Sequence, residues 1–342
     1  MVAHPSFWLG GLLLCAPAIP HQAHADDTTR LNEVTVTGAR EEQPVAETPA
    51  TVNRVSGDTI ATTRPEHPSQ IMNQIPGVWV NVTGGEGHMT AIRQPLTTNP
   101  VYLYLEDGVP TRSTGFFNHN ALYEINVPQA GGIEVTKGPG SALQGSDAIG
   151  GVINVLTRPA PLTPEATVSL EGGSYGWWRT LAGGGNTVGA DGVRADLNLT
   201  HTDGWRDATG YDRYSGTLRW DHAAASGALS KTLLTYSTID QETAGSSTLT
   251  LDDYLHHPTA NYTPISYRQV QALRLSSAYE RETGASLVSL TPYARYDNMD
   301  ILPNWSLGYD PTVYNSQNTS LGLLAKYRRD YMPWRTRLIA GV

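Results

Sequence analysis

The chain has 342 residues, with 34 glycines, 22 prolines, 16% charged residues and a formal net charge of −9. Hydrophobic residues make up 39%, and no stretch reaches the roughly 18 consecutive apolar residues of a membrane helix, so a helical membrane protein is excluded. The acidic balance argues against nucleic-acid binding, although every basic residue except Lys137, Lys231 and Lys326 is an arginine. Seventeen tyrosines and eight tryptophans against three phenylalanines favour amphipathic rings, which suit a boundary between apolar and wet surroundings.

In chain order, Phe7 to Ala16 is a short apolar run, and Ala23-His24-Ala25 is a small-x-small pattern just before Asp26-Asp27. Residues 1–25 therefore read as a cleaved export signal, with His4 as the one cationic candidate near its start. The single cysteine, Cys15, falls inside that segment. A mature chain starting beyond it has no thiol, which removes disulfides and cysteine metal sites. Residues 26–49 are polar apart from one alternating island, Glu33-Val34-Thr35-Val36-Thr37-Gly38, whose β-branched residues favour an extended backbone. Two readings stay open: a segment that pairs onto another protein's sheet edge, or the first strand of the next domain.

Residues 50–158 have the pattern of a compact α+β domain. Ser69 is placed to cap a short helix with Ile71, Met72 and Ile75 on one face, and Pro76-Gly77 ends it. Four short apolar runs follow as strands, Val78–Val82, Val101–Leu105, Ile133–Thr136 and Val152–Leu156, separated by Gly-rich turns. A sheet this small needs covered faces to be stable.

Residues 159–342 follow the rules of antiparallel β structure. Val193, Ala195, Leu197 and Leu199 alternate with Arg194, Asp196, Asn198 and Thr200, and Tyr214, Leu218 and Trp220 alternate with charged and polar partners. Nine such segments succeed one another, joined alternately by tight turns and by long polar loops such as Gln241–Tyr267 and Asp300–Gln317. A soluble sandwich and a membrane barrel both produce this alternation. Short loops on one rim and long loops on the other, together with the export signal and aromatic residues near strand ends, favour the barrel.

The run from Ile133 to Val155, containing Lys137-Gly138-Pro139-Gly140-Ser141, Gly145-Ser146-Asp147 and Gly150-Gly151-Val152-Ile153-Asn154-Val155, resembles the plug-domain signature of TonB-dependent outer-membrane receptors. Ile75-Pro76-Gly77-Val78, the turn Tyr104-Leu105-Glu106-Asp107-Gly108-Val109-Pro110, and Glu33–Gly38, which is similar to a TonB box, support it. Gln94-Pro95 stands after Ile92-Arg93 where the family usually has glycine. The resemblance implies a membrane β-barrel preceded by a small α+β plug domain, with about nine antiparallel strands present of an expected 22. The expectation is therefore a C-terminally truncated chain that does not insert stably alone.

What the resemblance implies for function is energised uptake of a ferric siderophore or other metal chelate across the outer membrane, without catalysis and without a cofactor. Glu33, Val34, Thr35, Val36 and Thr37 would be gripped by a TonB-type inner-membrane energy-transducing complex, and the strands would meet outer-membrane lipid. Gly138, Gly140, Gly145, Gly150 and Gly151 are expected to serve backbone turns and close approach of plug to wall. Arg93, Glu134, Lys137 and Asp147 either make charged contacts between plug and wall or form a solvated surface. Thr111, Arg112, Phe116, Phe117, Asn118, His119 and Asn120 would form an apical loop facing the ligand, with the phenylalanines either a recognition tip or packing. His256 and His257 in a long loop are weaker contact candidates. Cobalamin, haem or carbohydrate uptake uses the same plug. A periplasmic adhesin or sandwich-type binding module is the reading from another class. No His-Glu-x-x-His, Walker or G-x-S-x-G motif is present, and Asp203–Asp212 lacks calcium-loop spacing.

Overall fold

A computed structural model describes residues 34–35, 43–113, 120–245, 247–302, 312–334 and 336–342. The first elements are β1 (Val34–Thr35), β2 (Gln43–Pro44) and β3 (Thr51–Ser56), then α1 (Gly57–Thr63) and α2 (Ser69–Met72). The hairpin β4 (Val78–Gly84) and β5 (Gly87–Ile92) follows, and then β6 (Tyr102–Glu106), β7 (Val109–Pro110), β8 (Gly132–Lys137), α3 (Ser141–Gln144) and β9 (Gly151–Leu156). The central sheet has the order β3-β8-β9-β6-β7, with β6 and β9 parallel and the remaining pairs antiparallel.

Ser56 caps α1 by accepting a hydrogen bond from the Thr59 amide at 3.1 Å, with Asp58 in the first turn. The cap expected at Ser69 is not there. Pro68 occupies that position, and the Ser69 hydroxyl meets His67 Nδ1 at 2.8 Å instead. Two strands also escape the sequence pattern. β3 is short, and β5 (Gly87-His88-Met89-Thr90-Ala91-Ile92) is covered on both faces, so it shows no alternation. β4 pairs with β5 in a separate hairpin rather than with the central sheet.

One face of the central sheet, carrying Tyr102, Tyr104, Ile133, Val135, Ile153 and Val155, packs on Ile60, Ile71, Met72, Leu122 and Ile125. The other face buries Leu103, Leu105 and Val152 under Ala148. The sheet therefore has both faces covered, which is what allows so small a unit to be ordered.

Nine strands follow: β10 (Glu165–Gly172), β11 (Trp178–Val188), β12 (Asp191–Thr202), β13 (Tyr211–Ala223), β14 (Leu229–Glu242), β15 (Tyr267–Thr283), β16 (Ser286–Leu302), β17 (Tyr314–Tyr331) and β18 (Thr336–Gly341). A fourth helix, α4 (Leu251–His256), sits between β14 and β15. The strands pair in sequence order as an antiparallel meander with in-register neighbours throughout, for example Leu197 with Gly216 and Leu218 with Leu234. Turns at 189–190, 224–228 and 284–285 are short, whereas the connections at 203–210, 243–266 and 303–313 are long, so the two rims differ as the loop pattern implies.

The direction of the alternation decides between the two architectures left open. On β12 the apolar residues face outward, with Val193 46% and Leu197 44% exposed, while Arg194 and Asn198 on the opposite face are 4% and 1% exposed. On β13, Tyr214, Leu218 and Trp220 are exposed, and Arg213 and Ser215 are buried. A soluble sandwich hides its apolar faces; this sheet presents them and hides its charges against the α+β unit. Among the described residues no helix is long and apolar enough to cross a membrane, which leaves strand crossing untouched. At about 3.4 Å per residue, the 17- and 18-residue strands β15 to β17 run roughly 55–60 Å, longer than a bilayer crossing needs, so their ends project beyond it.

Candidate plug and wall interface

The buried face of the nine-stranded wall is a comb of arginines, because inward positions recur every second residue and hydrogen-bonding partners wait on the plug. Arg213 on β13 meets Glu86 at 2.9 Å and also donates to the Ile125 carbonyl. Arg274 on β15 holds Glu106 Oε2 through Nη2 at 2.9 Å and Nε at 3.1 Å, and reaches Glu124 Oε2 at 3.4 Å and the Glu124 carbonyl at 2.9 Å. Arg179 donates to the Pro65 carbonyl at 2.6 Å, and Arg295 to the Pro110 carbonyl at 2.9 Å. Gln241 fixes the β4–β5 turn, accepting from the Glu86 amide at 3.1 Å and donating to the Gly84 carbonyl at 2.9 Å.

At the opposite rim, Asp107 receives Lys231 at 3.2 Å and the Thr157 amide at 3.0 Å, and Arg219 donates to the Thr157 carbonyl at 3.0 Å. A cavity of about 720 Å³ lies beside these groups, lined in part by Asp107, Arg219, His222, Lys231 and Glu280. The two adjacent carboxylates of this turn behave in opposite ways. Burial pushes the Glu106 carboxyl above the usual range against the pull of Arg274. Burial also opposes ionisation of Asp107, but Lys231, Arg219 and the Thr157 hydrogen bonds outweigh it and hold that carboxyl below its usual range.

The apolar contribution to this interface is small by comparison: Tyr123 from the plug packs with Ile239, Val270, Met299 and Ile301 from the wall. A contact made mostly of hydrogen bonds and ion pairs can open with water replacing each partner, whereas an apolar contact would expose its area.

The sequence-predicted residues fall in several places. Thr111, Arg112 and Asn120 do not stand at an open surface as expected, since all three are buried. Arg112 Nε meets Glu124 at 2.6 Å, its Nη1 donates to Asn120 at 3.0 Å and its Nη2 to the Tyr123 hydroxyl at 2.7 Å, while the Thr111 amide donates to the Tyr104 carbonyl at 3.0 Å. These side chains hold the base of the apical loop. Phe116, Phe117, Asn118 and His119 lie outside the described residues.

Val34 and Thr35 form β1, paired antiparallel with Pro44 and Gln43. Glu33, Val36 and Thr37 lie outside the described residues. His256 and His257 are exposed at the end of α4, with His256 Nδ1 2.9 Å from Asp252. Among the described residues, no cluster of three or more His, Cys, Asp or Glu side chains could hold a metal ion.

Lys137 donates to the Pro76 carbonyl within the plug, and Glu134 is buried on β8 opposite Arg54 in register. Arg93 is exposed, and Asp147 is buried with a positive φ of 67°. Gly138 and Gly145 have φ of 98° and 89° and serve turns, as expected. The close approach at Gly140, Gly150 and Gly151 is internal to the plug, not to the wall. A Cβ on Gly151 would stand 2.7 Å from the Thr136 carbonyl oxygen. The plug glycines that meet the wall are Gly85, where a Cβ would lie 2.6 Å from the Gln241 side chain, and Gly87, where it would collide with Arg268 Nη1. Sequence reasoning missed Glu86, Glu106, Glu124 and the inward arginines as partners. The arginine that recurs in the wall strands other than β10 and β14 was the available signal.

Residues 44–152 match the family model of the TonB-dependent Receptor Plug Domain. The chain carries the plug domain of TonB-dependent receptors. Vitamin B12 transporter BtuB of Vibrio vulnificus is 38% identical over 155 residues, 44% of this chain and 25% of that protein. The protein of the same name from Photobacterium profundum is 32% identical over 169 residues, 48% of this chain and 28% of that protein. The matches thus span about a quarter of those relatives.

Among solved structures, the ferric citrate transporter FecA in its unliganded form superposes with a TM-score of 0.74 at 18% identity, covering 84% of this chain and 45% of that one. The ferripyoverdine receptor of the outer membrane of Pseudomonas aeruginosa gives 0.73 at 14% identity, covering 90% and 44%. The fold is therefore that of a plug domain followed by nine strands of a plugged β-barrel. The comb of wall arginines is the surface that seats the plug.

Proposed function

We propose that this chain supplies the plug and part of the wall of an outer-membrane receptor that takes up a metal chelate with energy delivered from the inner membrane. The observation that carries this reading is the pairing of a plug domain held by hydrogen bonds and ion pairs with a sheet whose outer face is apolar. Such a plug can be displaced without exposing a large hydrophobic core, while the sheet keeps its lipid-facing skin. The receptor acts by recognition and mechanical rearrangement rather than by catalysis.

Residues 33–37 are the proposed grip for a TonB-type partner. Their described part, β1, is held by only two residue pairs, and Pro44 lacks an amide to donate, so a competing strand displaces it at small cost. Residues 1–25 are the proposed export signal, residues 26–49 the box and linker, 50–158 the plug and 159–342 wall strands.

For the cargo, the leading reading is a ferric siderophore or a related iron chelate. Cobalamin is the second reading, favoured by the names of the curated relatives. Deleting residues 33–37 tests the mechanism. Uptake of radiolabelled ferric citrate or cyanocobalamin should be lost while binding to cells is retained. Uptake that survives the deletion refutes the energised-receptor reading. The identity of the cargo follows from which probe accumulates.

A further inference from the structure

The outer face of the wall changes character at the rim that carries the short turns. Above that rim the exposed residues are apolar, with Leu290 40% and Leu323 54% exposed. At the rim two arginines are exposed on the same face, Arg281 on β15 and Arg329 on β17. The strand register brings them together: Arg281 lies opposite Val288, Val288 opposite Tyr327, and Arg329 opposite Ser286. Two strand spacings of about 4.8 Å and two residues of about 3.4 Å put their Cα atoms about 12 Å apart, so both side chains can reach one small anion. Arg329 Nη1 donates to the Ser286 hydroxyl at 3.2 Å, and that hydroxyl lies 3.4 Å from the Tyr327 hydroxyl. The Arg329 guanidinium lies over the Tyr331 ring at 5.8 Å, and Tyr279 is exposed on the same face.

The carboxylates of these strand ends lie on the opposite face, as the alternation requires. Asp330 meets Arg337 at 2.7 Å and Arg328 at 3.4 Å, and Glu282 pairs with Arg328. Further round the rim, the outward carboxylate of Asp191 accepts from Trp220 Nε1 at 2.9 Å and meets His222 at 2.8 Å. In a chain of net charge −9, the paired positive charge on the outer face is therefore a local feature.

An arginine on a lipid-facing strand lays its stem along apolar surface and keeps its guanidinium in the wet boundary layer, where tyrosine rings also settle. A ligand that fits this surface has an anionic head for the two guanidiniums and an apolar body for Leu290 and Leu323. A glycerophospholipid has both. Guanidinium forks match phosphate oxygens in geometry as well as in charge. Short turns mark the periplasmic rim of an outer-membrane barrel, which sets the leaflet concerned.

We propose that Arg281 and Arg329, with the Ser286 and Tyr327 hydroxyls between them, form a binding site for the phosphate of a phospholipid in the leaflet nearest the short turns. The site rests on the reading that the outer face of the wall meets lipid, and it is independent of the cargo and of the energy source.

Native mass spectrometry of the detergent-purified full chain tests it by measuring retained lipid. The parent should retain phosphatidylglycerol, and a diacylglycerol with the same acyl chains should be held far less. Arg281→Gln/Arg329→Gln should weaken phosphatidylglycerol retention at least tenfold, Arg281→Lys/Arg329→Lys by less, and the exposed plug variant Arg93→Gln not at all. Millimolar inorganic phosphate should not displace the lipid. Equal retention in the glutamine double variant, diacylglycerol held as tightly as phosphatidylglycerol, displacement by inorganic phosphate, or no lipid retained by the parent each overturns the proposal. Both arginines are exposed, so the double variant should melt with the parent; a melting point lowered by several degrees would explain the loss by unfolding and also overturns the site. Vesicle flotation separates this site from the reading beneath it. A parent that floats with phospholipid vesicles yet retains no phosphatidylglycerol overturns the site alone, whereas one that floats with no vesicle overturns the lipid-facing wall as well.

Discussion

Replacing Arg274 by methionine removes the wall residue that joins two plug carboxylates. Glu106 would lose both of its charged hydrogen bonds, at 2.9 and 3.1 Å, keeping only the Thr235 hydroxyl at 3.0 Å. Glu124 would keep Arg112 at 2.6 Å. The damage therefore falls mainly on one buried carboxylate, and breaking a buried ion pair by removing one partner costs about 3–5 kcal/mol. Glu106 recovers part of this by taking up a proton, which its raised pKa makes easier, so about 3 kcal/mol is expected at neutral pH. At roughly 1.4 kcal/mol per tenfold, amide exchange in β6 should quicken by about two orders of magnitude. Glu106→Gln alone should cost less, because the amide stays near Thr235. In the double variant Arg274→Met/Glu106→Gln most of the loss should disappear, leaving a coupling of at least about 1.5 kcal/mol. Hydrogen exchange read by mass spectrometry on peptides spanning residues 102–110 reports each term. Single effects that add to within about 0.5 kcal/mol would show that this ion pair does not seat the plug.

Three further outcomes follow from the same geometry. Gly151→Ala places a Cβ 2.7 Å from the Thr136 carbonyl oxygen and 2.8 Å from Ile92 Cδ1, so it should destabilise the plug by about 1–3 kcal/mol in denaturant titrations, and a neutral result would refute the close packing. Leu218→Arg puts a charge on the outer face of β13 and should lower insertion into vesicles by about 2–4 kcal/mol if that face meets the bilayer centre, whereas a soluble sheet would accept it. The pH dependence should have two parts of opposite sign. Glu106 has a raised pKa in the folded chain, so its contribution falls as pH rises from the ordinary glutamate range, about 4.3, to that raised value. Asp107 has a lowered pKa, so its contribution is complete above about 3.9 and is lost as pH falls through the lower folded value. Glu106→Gln should flatten the first part and Asp107→Asn the second in protease-resistance profiles of the plug.

What could be read from the sequence depended on whether a residue's partner was near it in the chain. The nine wall strands were legible because Val193 to Thr200 and Tyr214 to Trp220 alternate with a period of two, and a single strand suffices to reveal that. The plug turns at Gly138 and Gly145 were legible for the same reason. β5 was not, because a strand covered on both faces has no polar phase to betray its period. Ser69 misled because Pro68 took the capping position and left its hydroxyl to His67. The pairing of Glu86 with Arg213 and of Glu106 with Arg274 joins residues more than 100 positions apart, and no local pattern records such a partner. The burial of Arg112 and Asn120 follows from Glu124 and Tyr123, which turn the base of the apical loop inward.

The distribution of polarity is what the displaceable plug of the proposed function requires. In a protein built for maximum stability, the surface between two units would be apolar, since burial contributes about 25 cal/mol per Å² and needs no matched geometry. Here the plug keeps its apolar residues for its own core, around Tyr104, Ile133 and Ile153, and meets the wall through Glu86, Glu106, Asp107 and Glu124. Each of those contacts is short, directional and replaceable by water once the partner has shifted by a few ångströms. Under the proposed function, a pull applied at β1 would meet a series of separable latches instead of one continuous hydrophobic seam, and the plug's own core would survive while the latches open. The same reasoning makes Arg274 more sensitive than its area suggests, because it closes two latches at once.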